Sequence, residues 1–586
     1  MQVLESSVPA ALRAQADRNP TATAFTFIDY EADWAGFTDT LTWSQLYRRA
    51  TNVAYELSLC AAPGDRALIL APQGLDYVAA FLGALQAGML AVPLWVPQAG
   101  GGDEGVTAVL RDTAPTAILT TTAFASAVAD YPPAGPRVSA PTVVEVDVLD
   151  LDTPRRFVEG PERRTGAAYL QYTSGSTRQP AGVVVSHRNL VTNFGHVLND
   201  YFAPFGRQVP PDTTVVSWIP LYHNMGLFLG LCAPILSGIG TVLTSPVAFL
   251  QRPARWLQLL ATNSRSFSPA PNFAFELTRR MTTDDDMAGL DLGNLLGIVC
   301  GGERIHANTI RAFTDRFARF NLAESAILPS YGLAEATVYV ATRGPGAPPR
   351  IVHFDTDRLA EGRAVLRGDG EGIASVSYGS PRMPMVRIVD PDTASECAPG
   401  TVGEIWAHGD NISAGYWRRP DQTAQTFGAN LADPSAGTPA TSWLRTGDLG
   451  VIVDGELFIM GRIKDLVIVD GRNHYPDDIE ATIRAATGCR SAAISAPGDD
   501  TERLVAVIEL EPPAGDDAAA TLRVLKRDVM TAIAKAHGLR AADLVLVAPF
   551  SIPITAGGKI RRSACAQRYL AGGFTRLDGS EITPAR

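Results

Sequence analysis

Apolar and polar positions alternate between two periods over roughly the first 345 residues. Residues 43–59 carry apolar side chains at helical spacing, and Thr42 and Gln45 stand three apart at the start, as in a capping box. The run RALILA at 66–71 is short, apolar and continuous, which predicts a buried strand. Residues 77–87 predict a helix and 90–94 a strand. Strand and helix alternating in this way predict an α/β domain with much parallel sheet. A strand predicted at 167–172 runs into a loop of glycine and hydroxyl residues, and further strand–helix units follow it.

The pattern then changes. Residues 351–380 read as loop-rich, with a glycine-dense middle, RGDGEG, at 367–372. Residues 380–460 read as short strands between turns, among them 386–389 and 403–407, which predicts a β-rich subdomain. Beyond Gly461 come a predicted strand at 466–469, a helix at 476–486, more strands and a last helix near 522–536. This is a small α+β domain of about 120 residues, within the usual domain range.

A chain of 586 residues is too long for one compact core. Hydrophobic residues at 46% and a mean hydropathy of +0.05 exclude a disordered chain. The net charge of -11, with no basic block, excludes the electrostatic footprint of a nucleic-acid binder. An anionic nucleotide would have to be held by local groups. The cysteines Cys60, Cys232, Cys300, Cys397, Cys489 and Cys565 form no CxxC pair, so they read as inert thiols in a reducing compartment. The first twenty residues lack the basic and apolar regions of a signal peptide. Two uncharged stretches, 77–98 and 225–251, approach the length of a membrane span. Gly88 and Pro93 interrupt the first, and Pro234, Gly238, Gly240 and Pro246 the second. Each predicts buried helix, turn and buried strand, so the expectation is no membrane span and a cytoplasmic protein.

The loop after the strand at 167–172 holds Thr173, Ser174, Gly175, Ser176 and Thr177. Such a loop can turn backbone N–H groups and hydroxyls toward phosphate oxygens. It is neither a Walker A loop nor a nucleophile elbow, and on spacing alone a plain polar loop stays open. Four of the 50 basic residues are lysine: Lys464, Lys526, Lys535 and Lys559. A lysine kept where arginine prevails suggests a site that a planar guanidinium does not fit.

The hydroxyl loop resembles the phosphate loop of the adenylate-forming superfamily, which includes acyl-CoA synthetases, luciferases and peptide-synthetase adenylation domains. Five further segments resemble that family's motifs, in the family's order. Gly301, Gly302 and Glu303 resemble the wall of the adenine pocket. Ser330, Tyr331, Gly332, Leu333 and Glu335 resemble the motif that stacks on adenine and supplies a magnesium carboxylate. Asp448, after Thr446 and Gly447, matches the aspartate that binds the ribose hydroxyls. Arg462 and Lys464 match the hinge motif, where Arg462 would also contact ribose. Lys559, between Gly558 and Arg561, matches the C-terminal catalytic lysine.

The resemblance implies ATP and Mg2+ as cofactors and gives each residue a role. Residues 173–177 would hold the β and γ phosphates, Glu335 the magnesium, and Lys559 the α-phosphate and acyl oxygens. It also implies a fold: an N-terminal domain at 1–460, built of two α/β subdomains with five or more strands each plus the β-rich subdomain. A hinge at 461–465 would carry a small mobile α+β lid domain at 466–586.

Three features resemble the fatty acyl-AMP ligase branch: Arg178 and Ala181 in the phosphate loop, the segment SWIPLYHNMG at 217–226, and the text from Arg462 to Pro476. Residues 351–380 lie where that branch carries an insertion held to obstruct the rotation needed for coenzyme A ligation. The implied activity is conversion of a fatty acid to acyl-adenylate with release of pyrophosphate. The acyl group would then pass to an acyl carrier protein domain of a polyketide or peptide synthase. His223 would line the entrance to the acyl pocket. The branch carries aspartate where this chain has Asn224, read here as the cap of a helix starting near Met225. An acyl-CoA synthetase and a degenerate nucleotide-binding protein remain the alternatives.

Overall fold

In the computed structural model, helix Trp43–Ser58 begins with the predicted capping box: Thr42 accepts from the Gln45 backbone N–H, and Gln45 from that of Thr42. The structure describes residues 7–96, 103–129, 131, 140–155, 157, 166–172, 180–498, 502–513, 517–555 and 558–579. The buried face of that helix packs on helix Leu75–Gln86. A Cβ on Gly83 would lie 2.4 Å from Val53 Cγ1, so the two backbones approach this closely because position 83 has no side chain. Each large apolar side chain buried here contributes about 2 kcal/mol.

Two α/β sheets build the large domain. One has six strands: Thr142–Glu145, Ala117–Thr120, Arg66–Ile69, Leu90–Pro93, Ala167–Tyr172 and Gly182–Ser186 in spatial order, parallel except for the last pair. The other has eight strands, with a parallel centre of Ile327–Tyr331, Gly297–Cys300, Ser266–Ala270, Thr214–Ser217, Gly240–Thr244 and Thr23–Asp29. Antiparallel edge strands, Ala341–Thr342 and Phe37–Thr42, close its two sides. Both uncharged stretches fold as helix, turn and strand. Gly88 turns the first at φ +70°, and Gly238 the second at +74°. Among the described residues no helix is long and apolar enough to cross a membrane.

The β-rich subdomain is an antiparallel four-stranded sheet of Met385–Val389, Gly403–His408, Leu444–Val453 and Glu456–Arg462. Residues 351–380, expected to be loop, instead form a three-stranded antiparallel sheet of Ile351–Phe354, Leu366–Arg367 and Ile373–Val376, with a short helix Thr356–Ala360. The glycine-rich middle is the turn of this sheet. Gly372 adopts φ +99°, and a Cβ there would sit 2.2 Å from the Phe354 carbonyl oxygen. Arg367 holds the turn by binding Asp355 and Asp369. Phe354 and Leu359 share a cluster with Val451, Phe458, Met460 and Tyr475.

The small domain has a core of its own, including Ile479, Ile483, Leu504, Ile508, Val529 and Ile533. Helices Pro476–Thr487 and Ala518–His537 pack on a three-stranded sheet of Ser491–Pro497, Glu502–Glu509 and Asp543–Val547. The molecule is therefore a large α/β domain with mixed sheets and a smaller α+β domain.

Candidate active site

One cavity of about 830 Å3 lies between the two domains. The strands of the eight-stranded sheet end at it, where ligands meet parallel sheets. After Gly297–Cys300 the chain turns through Gly301, Gly302 and Glu303; after Ile327–Tyr331 it turns through Gly332, Leu333 and Glu335. The small domain closes the other side with Thr555, Gly558, Lys559 and Arg561. Of the residues expected at the site, Gly302, Glu303, Ser330, Tyr331, Gly332, Leu333, Glu335, Asp448, Arg462, Lys464, His223 and Lys559 all line this cavity. Thr173, Ser174, Gly175, Ser176, Thr177 and Arg178 lie outside the described residues.

Asp448 and Arg462 face each other across neighbouring antiparallel strands. Arg462 Nε pairs with Asp448 Oδ1 at 3.0 Å, and the Tyr331 hydroxyl donates to Oδ2 at 2.7 Å. The Asp448 backbone N–H donates to Thr446 Oγ1 at 3.1 Å, which fixes the strand where the carboxylate leaves it. The Asp448 charge raises the pKa of Arg462. Ser330 is pinned from behind by Tyr201, whose hydroxyl bonds its Oγ at 2.9 Å.

Lys559 brings a cation toward Glu303, Asp448 and Arg462. Burial and then the Arg462 charge push its ammonium down, while Glu303 and Asp448 hold it up. Burial pushes Glu303 up, and its Oε1 accepts from the Phe273 backbone N–H at 2.6 Å. Burial and Lys559 push His223 down to about 3, so its imidazole is neutral at pH 7. His223 Nδ1 accepts from the Met225 N–H at 3.4 Å, which makes His223, not Asn224, the cap of helix Asn224–Leu227. Asn224 is the first residue of that helix and lines the cavity, so the capping role expected of it is corrected. Lys464 sits in the turn after strand Glu456–Arg462, with its ammonium pushed down by burial and by Arg462.

Sequence reasoning missed the groups that join the domains. Arg304 donates to the Met460 carbonyl at 2.8 Å and pairs with Asp478 at 2.7 Å. Within the small domain and its connection, Arg562 gathers Asp465, Asp477 and Glu480 within 3.1 Å. Asp477 and Asp478 open a helix, where acids favour the dipole, so nothing local marks them as ion-pair partners, Asp477 of Arg562 in its own domain and Asp478 of Arg304 in the other.

The model of the AMP-binding enzyme family matches residues 12–417. Over 582 residues the chain is 58% identical to the long-chain-fatty-acid–AMP ligase FadD26 of Mycobacterium marinum, covering 99% of this chain and 100% of that one. The chain belongs to the fatty acyl-AMP ligases. The ligase is also 58% identical to the long-chain-fatty-acid–AMP ligase FadD28 of Mycobacterium tuberculosis, covering 98% and 99% of the two chains. Among solved structures it resembles a fatty acid AMP ligase from Legionella pneumophila, at 30% identity and a TM-score of 0.73, covering 98% of this chain and 99% of that one.

Magnesium fits the cavity. The ion prefers oxygen donors and binds through one or two carboxylates plus substrate phosphates. Glu335 brings a carboxylate to the cavity wall, and Tyr416 holds one of its oxygens at 2.8 Å.

Proposed function

We propose that the ligase joins a fatty acid to AMP and then delivers the acyl group to a carrier-protein thiol. A carboxylate oxygen attacks the α-phosphorus of ATP, the bond to the bridging oxygen breaks, and pyrophosphate leaves with the electron pair. Negative charge is shared in flight between the α-phosphate and the departing group, so positioned cations carry most of the catalysis. The observation that carries this reading is Lys559, which the small domain extends into the cavity opposite Glu303 and Asp448. Lys559 binds the α-phosphate and acyl oxygens; Asp448 and Arg462 take the ribose hydroxyls; Tyr331 stacks on adenine. Residues 173–177 hold the β and γ phosphates. Magnesium, when bound at Glu335, supplies neutralising charge on the phosphates. The neutral His223 lines the acyl entrance without charging it.

The long apolar wall of the cavity, with Val197, Leu229, Phe273, Leu277 and Val338, suits an alkyl chain. In the second step a carrier thiol attacks the acyl carbon, forming a thioester and releasing AMP. Its acceptor is the carrier domain of a polyketide or peptide synthase, in the cytoplasm. We assign residues 1–460 to the adenylating domain, 461–465 to a hinge and 466–586 to a mobile lid. The sheet at 351–380 disfavours coenzyme A ligation by restraining that lid. In support, Asp357 pairs with Arg472 of the small domain at 2.8 Å, and Phe354 and Leu359 share an apolar cluster with Tyr475.

Product analysis tests the proposal. With ATP, magnesium, a long-chain fatty acid, coenzyme A and a phosphopantetheinylated carrier domain, acyl-AMP and acyl-carrier should form without acyl-CoA. Rapid acyl-CoA formation with the carrier left unloaded would move the chain to the synthetases. Absence of pyrophosphate release at every chain length would sink the adenylation step itself.

A further inference from the structure

Glu335 stands in a strained turn, Ala334–Ala336. Two residues on, Thr337 adopts φ +67° and ψ −59°, a conformation that costs a non-glycine residue about 1–3 kcal/mol and persists only when neighbours impose it. The neighbours are residues 411–416. The fully buried Asn411 donates from Nδ2 to the carbonyls of Ala336 at 3.1 Å and Tyr339 at 2.9 Å, and its own carbonyl accepts from Thr337 Oγ1 at 2.7 Å. The Ser413 N–H donates to the Glu335 carbonyl at 2.8 Å. At the end of this strap the Tyr416 hydroxyl donates to Glu335 Oε1 at 2.8 Å.

The same strap grips the strand that leaves the phosphate loop. The Val184 N–H donates to the Gly415 carbonyl at 2.9 Å, and the Trp417 N–H to the Gly182 carbonyl at 2.7 Å. One segment thus touches both the start of strand Gly182–Ser186 and the Glu335 turn.

We infer that Tyr416 is a positioning residue that orients the Glu335 carboxylate for magnesium, with the 411–416 strap tying the Glu335 turn to strand Gly182–Ser186. This rests on the reading of Glu335 as the metal carboxylate. By occupying Oε1, Tyr416 restricts the rotation of the carboxylate that would hold magnesium. Outer partners of metal ligands typically govern affinity by roughly tenfold or more.

The test measures ATP affinity by calorimetry with and without magnesium, in the absence of fatty acid, together with the magnesium dependence of pyrophosphate release. Tyr416→Phe keeps the ring on Phe427, 5.2 Å away, and deletes only the donor. It should leave metal-free ATP affinity and melting temperature unchanged. The gain in affinity on adding magnesium should fall roughly tenfold, and the half-saturating magnesium concentration should rise by a like factor. Phe427→Leu, which loosens the ring contact and keeps the hydroxyl, should shift neither. An unchanged magnesium gain in Tyr416→Phe overturns the inference, provided Glu335→Gln loses the gain. An unchanged gain in Glu335→Gln overturns the metal assignment itself, and the inference with it. Equal shifts in Phe427→Leu and Tyr416→Phe would reduce Tyr416 to packing and also overturn it.

Discussion

Arg304 and Asp478 form a 2.7 Å ion pair across the boundary between the two domains, with side chains only 9% and 11% exposed. Arg304 lines the cavity from the large domain, and Asp478 stands in the first turn of the helix that opens at Pro476. Removing one partner of a buried pair strands the other charge, at a cost of about 3–5 kcal/mol. Asp478→Asn should therefore shift the molecule toward open arrangements. Small-angle scattering should show a larger radius of gyration, protease cleavage near 461–465 should accelerate, and adenylation should slow at least about tenfold. An unchanged scattering profile with an unchanged rate would remove the latch role.

Lys559→Ala should suppress pyrophosphate release by about a hundredfold or more, the scale expected when one charge stabiliser of a transition state is lost. ATP affinity should change little, because Asp448, Arg462 and Tyr331 remain in place. Rapid-quench assays and calorimetry separate the two quantities. Full adenylation in the variant would reassign the catalytic cation.

At Gly332 the limit is steric. A Cβ there would lie 1.5 Å from the Val338 carbonyl oxygen, a backbone atom that cannot yield without moving the Glu335 turn. Gly332→Ala should cost about 3 kcal/mol or more in denaturant unfolding, or abolish adenylation by displacing Glu335. Gly344, with no heavy atom within 4 Å of a Cβ, should accept alanine within about 0.5 kcal/mol.

Elements set by local pattern were legible in the chain. The Thr42 and Gln45 box, the strand Ala167–Tyr172 and the helix from Pro476 follow from spacing, capping and apolar runs. Residues 351–380 misled because glycine density reads as loop, whereas here the glycines close a small sheet and Arg367 ties its turn. Asn224 misled by one position, since a histidine nitrogen can accept at a helix start as an amide oxygen does. The motif residues were legible as types, but their convergence was not. Tyr331, Asp448 and Lys559 are brought together by the end of a parallel strand, a hairpin register and a second domain. Arg304 and Asp478 carry no local sign of their pairing. An ion pair across 174 positions depends on how the domains dock.

Buried and half-buried histidines weaken the fold toward acid. His223 is pushed down to about 3, and His306 and His537 to about 4, each chiefly by burial, while His196 and His474 are lowered as well. In the unfolded chain each would titrate near 6.5. Between that value and the lowered one, the unfolded state binds more protons, so stability rises with pH there. The contribution is complete above about pH 6.5 and is lost as pH falls through 4 toward 3. Each histidine adds at most about 1.4 kcal/mol per pH unit to the slope. Glu303, Glu480 and Asp478, raised by burial, act in the opposite sense and blunt the fall. A single substitution isolates one histidine from this sum. His537 lies in the small domain, outside the cavity lining, with Nε2 at 2.8 Å from Thr482 Oγ1. His537→Gln keeps a polar partner for Thr482 and removes the titration. The stability lost between pH 7 and pH 4.5 should shrink by about 2 kcal/mol relative to the parent chain, read from denaturant melts at the two pH values. Equal losses in the two proteins would mean that His537 takes up its proton without opposing the fold.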